Sequence, residues 1–492
     1  VPTMSSCRRR LVRSNTTRSF FLRSTCISLI TSVAPSLPFC AGFVPRSQHL
    51  TVNDPRRHHL PPQYRFMTSI PVVPPSTPVM PPTTGTISPR VLATLDPCVI
   101  LMKEMIGRYA SQWQDKGGIY SLAQGVVYWK PPPSSQEALL AALTDKSNEV
   151  LHTYGPGQGI PELIQALQIK LSNENGFDPT THNVMVTVGA NQAYVNCVLT
   201  CLDDSSKAIV FRPYYFIHVM AIQMTCGDSN VVVGPTSDQG IPDLQWLQET
   251  LNHQSDIRMV TIVNPGNPTG VSLSKEDVLQ PIVDLCKQHS VWLVLDCTYE
   301  YFTTPAHHQP IATFPEDPHV IHIFSFSKSY SLSGYRCGYL VLHQDCQSLW
   351  NNMLKVQDTL PIAPPRISQI AALGSLQAGP TWVRNQYATL DSSRQAILDA
   401  LKSLPRTMGG DGAMYVMGQL PLLASGDVRD DVEICRQLVE HHGIAIIPGT
   451  FCGFPGWIRV CYANLEPQLC DRAAQRLKQG LAAILDIPVD TD

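Results

Sequence analysis

The sequence predicts an α/β protein with a mostly parallel β-sheet that is covered by helices on both faces. Between Asn183 and Leu295, short runs rich in β-branched residues alternate with segments of helical length, and this alternation is typical of parallel sheets. The 492-residue chain is 43% hydrophobic, with a formal net charge of −3, which allows a large core and two domains. The near-neutral charge gives no indication of a nucleic-acid partner.

The first 87 residues differ in composition from the rest of the chain. No acidic residue precedes Asp54, whereas arginine, serine and threonine are abundant, as in organellar targeting sequences. The proline-rich run Pro71–Pro82 cannot form a helix or a central strand, so it is predicted to be a spacer. We therefore expect residues 1–87 to be a largely disordered transit peptide for a plastid or mitochondrion. Without import the protein would be cytoplasmic.

Folded structure is predicted from residue 88 onward. Helices are predicted over Leu92–Tyr109, Asn191–Cys201, Tyr214–Met224, Lys275–His289 and Glu466–Leu485. Strands are predicted over Val184–Val188, Ala208–Phe211, Val231–Val233, Ile257–Val263, Val291–Leu295, His319–Phe324 and Tyr335–Leu342, with a short strand running into a loop over Ser121–Trp129. Residues 151–360 are expected to form a large domain, and residues 88–150 and 361–492 a smaller one.

Three classes of protein are not indicated. No apolar run reaches the roughly 18 residues that a membrane span needs. The fifteen cysteines are scattered without a Cys-x-x-Cys pair, which argues against a disulfide framework. The paired histidines lack metal-ligand spacing, so no metal site is expected.

One lysine, Lys328, is surrounded by small hydroxyl residues and follows the apolar run His319–Phe324. Open α/β sheets place their chemistry at such strand ends. A lysine amine forms a Schiff base with an aldehyde, and Ser325, Ser327 and Arg336 suit a phosphate. The stretch therefore predicts a site for a phosphorylated aldehyde cofactor. The alternative is a surface lysine in a serine-rich loop.

Two turns each follow a predicted strand. Gly189-Ala-Asn-Gln192 lies between a strand and a helix, where free N–H groups and the helix dipole form an anion-binding corner. In Asn264-Pro-Gly-Asn-Pro-Thr-Gly270, two Asn-Pro steps restrict the backbone. The amide of Asn267 can then donate to a cofactor or substrate oxygen. The alternatives are an ordinary strand–helix turn and an ordinary Pro/Gly loop.

Three further side chains complete the pattern. Asp296 ends a buried strand, where a protonated pyridine nitrogen would suit its carboxylate, and Tyr299 could donate to the phenolic oxygen of the same ring. Arg459 lies in a short strand near the end of the chain, and a guanidinium binds a carboxylate bidentately. The alternatives are a helix-capping aspartate and an edge-strand arginine.

In this order and spacing, the motifs resemble those of class I/II aminotransferases, which are pyridoxal 5′-phosphate enzymes of fold type I. The resemblance runs from about Ser121 to the C-terminus and includes Tyr154-Gly-Pro-x-Gln-Gly-x-Pro-Glu162. Three stretches resemble the plant aromatic/methionine aminotransferases, namely Ser121–Trp129, Arg212–Phe216 and Asn264–Pro268.

The resemblance implies a large domain with a seven-stranded, mostly parallel sheet between helices, and a smaller α+β domain. It also implies a homodimer with shared active sites, in which the small-molecule substrates are an aromatic amino acid or methionine and a 2-oxo acid. The amino group would pass between them by a ping-pong mechanism.

The same resemblance implies residue roles. Lys328 would bond the cofactor and carry the proton, and Asp296 would pair with the pyridine nitrogen. The other implied contacts are Tyr299 and Asn267 for the phenolic oxygen, Ala190, Asn191, Ser325, Ser327 and Arg336 for the phosphate, Tyr215 for the ring face, Gly125, Asn267 and Arg459 for the substrate carboxylate, Trp129 or Tyr128 for the substrate side chain, and Tyr154 for the partner subunit's phosphate.

Some features depart from the family pattern. Tyr215 stands where many relatives have tryptophan, the loop Val126–Trp129 lacks a Gly-x-Pro-x-Phe pattern, and no second arginine for a distal carboxylate is evident. Two other functions remain open at this point. One is a different reaction on the same fold, such as β-elimination by a C–S lyase or decarboxylation. The other is a binding module without turnover.

Overall fold

A seven-stranded sheet forms the centre of the protein in the computed structural model, which describes residues 86–303 and 311–487. The strands in these residues are β1 (Tyr120–Ser121), β2 (His182–Thr187), β3 (Lys207–Phe211), β4 (Val231–Gly234), β5 (Ile257–Val263), β6 (Trp292–Asp296), β7 (Val320–Ser325), β8 (Gly338–His343), β9 (Arg406–Gly409), β10 (Tyr415–Gln419), β11 (Ile444–Ala445), β12 (Ile447–Pro448) and β13 (Trp457–Cys461).

Helices connect these strands. They are α1 (Pro89–Leu92), α2 (Cys98–Trp113), α3 (Pro133–Thr144), α4 (Pro161–Asn175), α5 (Gly189–Cys201), α6 (Phe216–Cys226), α7 (Leu244–His253), α8 (Gln280–Gln288), α9 (Phe326–Ser329), α10 (Gln347–Thr359), α11 (Arg366–Leu376), α12 (Gly379–Ala388), α13 (Asp391–Leu401), α14 (Asp431–His442) and α15 (Pro467–Leu485).

The central sheet has the strand order β2-β8-β7-β6-β5-β3-β4. Its pairs β3/β4, β3/β5, β5/β6 and β6/β7 are parallel, whereas β8 is antiparallel to both of its neighbours. A mostly parallel sheet needs apolar side chains on both faces. In β6, Leu293 and Leu295 pack into one core cluster and Val294 into another, as alternation along a strand requires. The predicted fold class is confirmed.

Two smaller sheets lie outside the central one. Strands β12, β13, β10 and β9 form an antiparallel sheet, and β1 pairs with β11. In the β10/β13 register, Met417 lies opposite Arg459 and Tyr415 opposite Cys461. The described residues belong to one compact unit. The division into a large and a small domain at residues 150 and 360 therefore stays a prediction.

Several predicted elements differ from the observed ones. The helix predicted over Leu92–Tyr109 is interrupted, because α1 ends before Pro97, which precedes α2. The helix predicted from Lys275 begins with a π-helical turn over Lys275–Leu279 before α8. Helix α7 was not predicted. Lys328 lies in the one-turn helix α9 rather than in a loop.

The predicted leader lies almost entirely outside the described residues, since residues 1–85 are not among them. In the described part, no helix combines the length and the apolar character needed to cross a membrane. The same residues contain no group of His, Cys, Asp and Glu that could hold a metal ion. The twelve described cysteines are free thiols, and ten of them are buried.

Candidate active site

A cavity of about 400 Å³ opens at the carboxyl ends of the central parallel strands. Its wall includes the last residues of β5, β6 and β7, namely Val263, Asp296 and Ser325. The carboxyl ends of parallel strands meet at one edge of a sheet, which is where α/β proteins bind ligands. The volume lies within the range of about 300–1,000 Å³ that is common for small-molecule sites.

Lys328 projects from α9 into the wall of this cavity. Ser325 caps the start of this helix, because its Oγ accepts a hydrogen bond from the Ser327 N–H at 3.1 Å. The Lys328 Nζ donates to the Gly125 carbonyl, and no described carboxylate forms an ion pair with it. Burial lowers the pKa of Lys328 to about 8, and the charges of Arg336 and Arg459 act in the same direction. At pH 7, about one tenth of these amines are therefore neutral.

Asp296 is buried and held from two sides. Its Oδ1 accepts hydrogen bonds from the Thr298 N–H at 3.0 Å and the Thr298 hydroxyl at 2.6 Å. Its Oδ2 lies 3.2 Å from the His218 Nε2, and the imidazole is stacked on Tyr194 with ring centroids 3.9 Å apart. These contacts fix the carboxylate at the cavity. The sequence pattern predicted a role for Asp296 but for neither Thr298 nor His218.

An anion-binding corner lies at the start of α5. Ala190, Asn191 and Arg336 all line the cavity, and Gly189 has a positive φ of 78°. A Cβ on Gly189 would lie 2.5 Å from the Arg336 Nη2, so only glycine leaves room for the guanidinium there. Helix N-terminal N–H groups next to a guanidinium are suited to bind a phosphate.

Three polar side chains meet at the hydroxyl of Tyr299. The Asn267 Nδ2 donates to this hydroxyl at 3.3 Å, and the hydroxyl of Tyr415 lies 2.7 Å away. Burial raises the pKa of Tyr299 well above its ordinary value, so the group stays a hydrogen-bond donor. The nearby Tyr215 also lines the cavity, and burial together with Asp296 raises its pKa to about 12.

Arg459 carries a buried positive charge, with 4% of the residue exposed. Its Nη1 donates to the Asn267 Oδ1 at 3.1 Å and its Nη2 to the Ala123 carbonyl at 2.6 Å. The Nε has no hydrogen-bond partner, and no carboxylate of the described residues pairs with the guanidinium. Because an unpaired buried charge is costly, the arrangement suits a ligand that brings its own carboxylate.

Twelve of the predicted site residues line the cavity together, namely Gly125, Ala190, Asn191, Tyr215, Asn267, Asp296, Tyr299, Ser325, Ser327, Lys328, Arg336 and Arg459. Trp129 does not line the cavity, and its role toward a substrate side chain stays a prediction. Its indole is buried in the core, stacked on Phe302 with centroids 6.1 Å apart, and Tyr128 instead contacts Thr389. Tyr154 is 78% exposed and lies outside the cavity, and its role toward a partner subunit stays a prediction.

One wall of the cavity comes from α2, which the sequence analysis did not connect with the site. Val99, Met102, Lys103 and Ile106 line it. Their spacing of three, four and seven residues places them on one face of the helix. This periodicity indicates that one face of the helix packs against other residues, but it does not show which part of the molecule that face contacts.

Comparisons with known proteins agree with this geometry. Residues 121–477 match the family model of the class I and II aminotransferases. The aromatic aminotransferase ISS1 of Arabidopsis thaliana is 37% identical over 405 residues, which cover 82% of this chain and 98% of the relative. An aspartate/prephenate aminotransferase of Thermus thermophilus is 27% identical over 354 residues, covering 71% of this chain and 88% of the relative.

Two solved structures have a similar fold. A single mutant of the Thermus thermophilus aspartate aminotransferase superposes with a TM-score of 0.70 at 25% identity, covering 80% of this chain and 100% of the other. The aromatic aminotransferase of Pyrococcus horikoshii OT3 superposes with a TM-score of 0.66 at 25% identity, covering 78% of this chain and 99% of the other.

Proposed function

Because the chain belongs to the class I and II aminotransferases, we propose that it is a pyridoxal 5′-phosphate enzyme that moves an amino group from an aromatic amino acid or methionine to a 2-oxo acid. Transaminase activity follows from the family and the relatives. What we propose beyond this activity is the identity of the cofactor and of the substrates. The proposal rests chiefly on one observation, that Lys328 and Arg459 line the same cavity and that neither forms an ion pair with a carboxylate of the described residues.

The residues of the cavity fit this cofactor. The corner formed by Gly189 and Arg336 leaves space and donors for the phosphate. Asp296 is placed to pair with the pyridine nitrogen, and Tyr299 and Asn267 with the phenolic oxygen. When bound, the cofactor supplies an aldehyde for the amino group and a cationic ring that accepts electron density from the substrate Cα.

Lys328 is suited to move the substrate proton. Its lowered pKa provides a neutral amine that can take a proton from Cα, and the protonated amine can return it. The Gly125 carbonyl holds the amine through a hydrogen bond. Arg459 binds and orients the α-carboxylate. Since one product leaves before the second substrate binds, the proposed kinetics are ping-pong.

The wall formed by α2 supports an apolar substrate side chain. Val99, Met102 and Ile106 present hydrophobic surface to the cavity, which suits an aromatic ring or a thioether. The similarity to ISS1, an aromatic aminotransferase, supports the same substrate class. Lys103 completes this wall and has no ion-pair or hydrogen-bond partner in the part of the chain that the structure describes. We propose that its amine binds the second carboxylate of a dicarboxylic 2-oxo acid.

A homodimer is part of the proposal. Tyr154 is strongly exposed, and Arg366 anchors its backbone by donating to the Tyr154 carbonyl at 3.0 Å. Exposed apolar side chains are found on α3 and α11, which pack together, including Leu140, Leu143 and Ile367. Such surface supports a contact between subunits, with Tyr154 near the partner's cavity.

A matrix of amino donors and oxo acceptors tests this function. Tyrosine, phenylalanine, tryptophan, methionine and aspartate are each assayed with several 2-oxo acids on the enzyme reconstituted with the cofactor. We expect the aromatic donors and methionine to react faster than aspartate. Faster reaction of aspartate would contradict the substrate class. Release of ammonia or carbon dioxide without a new amino acid would instead favour the elimination or decarboxylation alternatives.

A further inference from the structure

Tyr415 lies between the two halves of the active site. It belongs to β10, is 1% exposed and lines the cavity. Its hydroxyl lies 2.7 Å from the hydroxyl of Tyr299, and the guanidinium carbon of Arg459 lies 4.6 Å from the centre of its ring. One side chain therefore contacts both the group proposed to act on the cofactor and the group proposed to bind the substrate carboxylate.

Tyr415 packs closely against two glycines, where any larger residue would clash with it. A Cβ on Gly125 would lie 2.2 Å from the Tyr415 hydroxyl oxygen, and one on Gly270 would lie 2.0 Å from its carbonyl oxygen. The Gly125 carbonyl also accepts the hydrogen bond from Lys328. Since Tyr415 pairs with Cys461, two residues from Arg459 on β13, adjacent strands carry the ring and the guanidinium.

The neighbouring hydrogen bonds determine that the Tyr415 hydroxyl can donate to the Tyr299 oxygen. The amide nitrogen of Asn267 can only donate, so the Tyr299 oxygen accepts at that contact. When the Tyr299 hydrogen is given to a cofactor oxygen, the Tyr415 hydroxyl is the neighbour that can donate to Tyr299 in turn. Hydrogen bonds in such a chain strengthen one another. Burial raises the pKa of Tyr415, which keeps its hydroxyl a donor.

The aromatic ring of Tyr415 contacts the guanidinium of Arg459. Arg459 has an Nε without a hydrogen-bond partner, and no described carboxylate compensates its charge. An aromatic face within about 6 Å stabilises such a cation and limits the orientations of the guanidinium. The hydroxyl and the ring of one residue thus serve two different groups.

We propose that Tyr415 is a positioning residue for both Tyr299 and Arg459, through its hydroxyl and its ring respectively. The inference deepens the proposed function and rests on it. Two substitutions distinguish the contribution of the hydroxyl from that of the ring. Tyr415→Phe removes the hydroxyl and keeps the ring, whereas Tyr415→Leu removes both.

The hydroxyl contact is tested by titrating the visible absorbance of the enzyme reconstituted with pyridoxal 5′-phosphate. In Tyr415→Phe, the Tyr299 hydroxyl donates more weakly to the cofactor, which disfavours the deprotonated form of the chromophore. The apparent pKa of the chromophore is therefore expected to rise by about 0.7 unit, which corresponds to the roughly fivefold effect of one net hydrogen bond. The kcat falls by a similar factor with little change in KM. A Tyr415→Phe titration that coincides with that of the wild type would overturn this half of the proposal.

The ring contact is tested on the protein without cofactor, by calorimetric titration with 3-phenylpropanoate, a carboxylate without an amino group. Tyr415→Leu binds this probe at least about fivefold more weakly than the wild type, whereas Tyr415→Phe binds within about twofold. Equal binding by all three proteins would overturn the role of the ring. Because this experiment uses no cofactor, it remains informative if the wild type forms no visible chromophore, a result that would refute the proposed function instead.

Tyr462→Phe is the matched control. Tyr462 is also fully buried, and its hydroxyl donates to the Ala413 carbonyl at 3.1 Å outside the cavity. This variant loses a buried hydrogen bond and is expected to lose stability while keeping the wild-type titration and probe affinity. A shift as large as that of Tyr415→Phe would show general loosening of the β10–β13 region and would overturn the proposal.

Discussion

Two lysines near the carboxyl end of β7 experience opposite electrostatic environments. Lys170 on α4 is 7% exposed, forms an ion pair with Glu300 and donates to the Asn175 Oδ1 at 2.8 Å. Lys328 is half-buried and donates only to a neutral carbonyl. A buried charge with its own counter-charge requires no ligand. A charge left without one in a cavity indicates where a ligand binds.

The pKa shifts follow the same division. Burial raises the pKa of the Glu300 carboxyl, and the charge of Lys170 opposes that shift. For Lys328, burial lowers the pKa, the charges of Arg336 and Arg459 lower it further, and the more distant charge of Asp296 opposes them without forming an ion pair. Arg459 is likewise without an ion-paired carboxylate among the described residues. The Lys170–Glu300 pair is therefore interpreted as a structural element, and Lys328 with Arg459 as the reactive one.

The largest expected effect comes from removing the reactive lysine. Lys328→Ala is expected to lower the transamination rate by at least about 10⁴-fold, because the variant has no amine to move the proton, and to abolish the visible absorbance of the bound cofactor. Steady-state assays and spectra check this. Lys355→Ala, which removes an exposed lysine on α10, is the control with expected wild-type behaviour. Retained turnover in Lys328→Ala would refute the assignment of Lys328 as the reactive lysine.

Breaking the structural pair should cost stability instead. In Lys170→Met, Glu300 is left buried without a partner, and the free energy of unfolding is expected to fall by about 3–5 kcal/mol. Urea denaturation measures the loss, and the double variant Lys170→Met/Glu300→Leu should recover part of it. The protein that remains folded should keep its activity. A selective loss of rate in fully folded Lys170→Met would place this pair in the catalytic machinery.

The lowered pKa of Lys328 predicts a pH dependence for cofactor capture. A neutral amine attacks the aldehyde, so the rate should rise with pH, reach half of its maximum near pH 8 and level off above it. The rate for a lysine with the ordinary pKa of 10.5 would reach half of its maximum only near that value. Between pH 7 and the plateau the gain is roughly tenfold. Stopped-flow absorbance of the cofactor-free enzyme measures it. Nα-acetyl-lysine under the same conditions corrects for ionisation of the cofactor, and a common profile for both would contradict the shift.

The smallest effect concerns the acceptor. Lys103→Met is expected to raise the KM for 2-oxoglutarate by roughly fivefold, the effect of one exposed charge contact, and to leave the KM for tyrosine nearly unchanged. Arg108→Met, on the same helix but outside the cavity, is the matched control. Equal changes in both variants would assign the effect to net charge rather than to a contact.

The sequence predicted those parts of the molecule that depend on neighbouring residues. The strand Ile257–Val263 was predicted with its observed bounds, because a short run rich in β-branched residues favours a strand. Asp296, Lys328 and Asn267 follow such strands, and the sheet brings strand ends together. Local pattern was therefore enough for most of the site.

Contacts between distant segments could not be predicted in this way. Tyr415 reaches Tyr299 across 116 residues, and His218 on α6 contacts Asp296 at the end of β6. Nothing in the residues around them specifies these partners. Trp129 shows the same difficulty, since an aromatic residue beside the substrate loop can turn toward the cavity or into the core. Packing against Phe302 placed it in the core.

The contribution of α2 to the cavity sets a limit on proteolytic maturation. Val99 and Met102 lie only a few positions after the start of this helix at Cys98. A peptidase that cut within α2 would remove residues that line the cavity, on the side that we propose to contact the substrate side chain. If an import signal is released by cleavage, the cleavage must therefore occur upstream of this helix. A series of N-terminal truncations, each one residue shorter than the last, would locate the boundary at which substrate selectivity is lost.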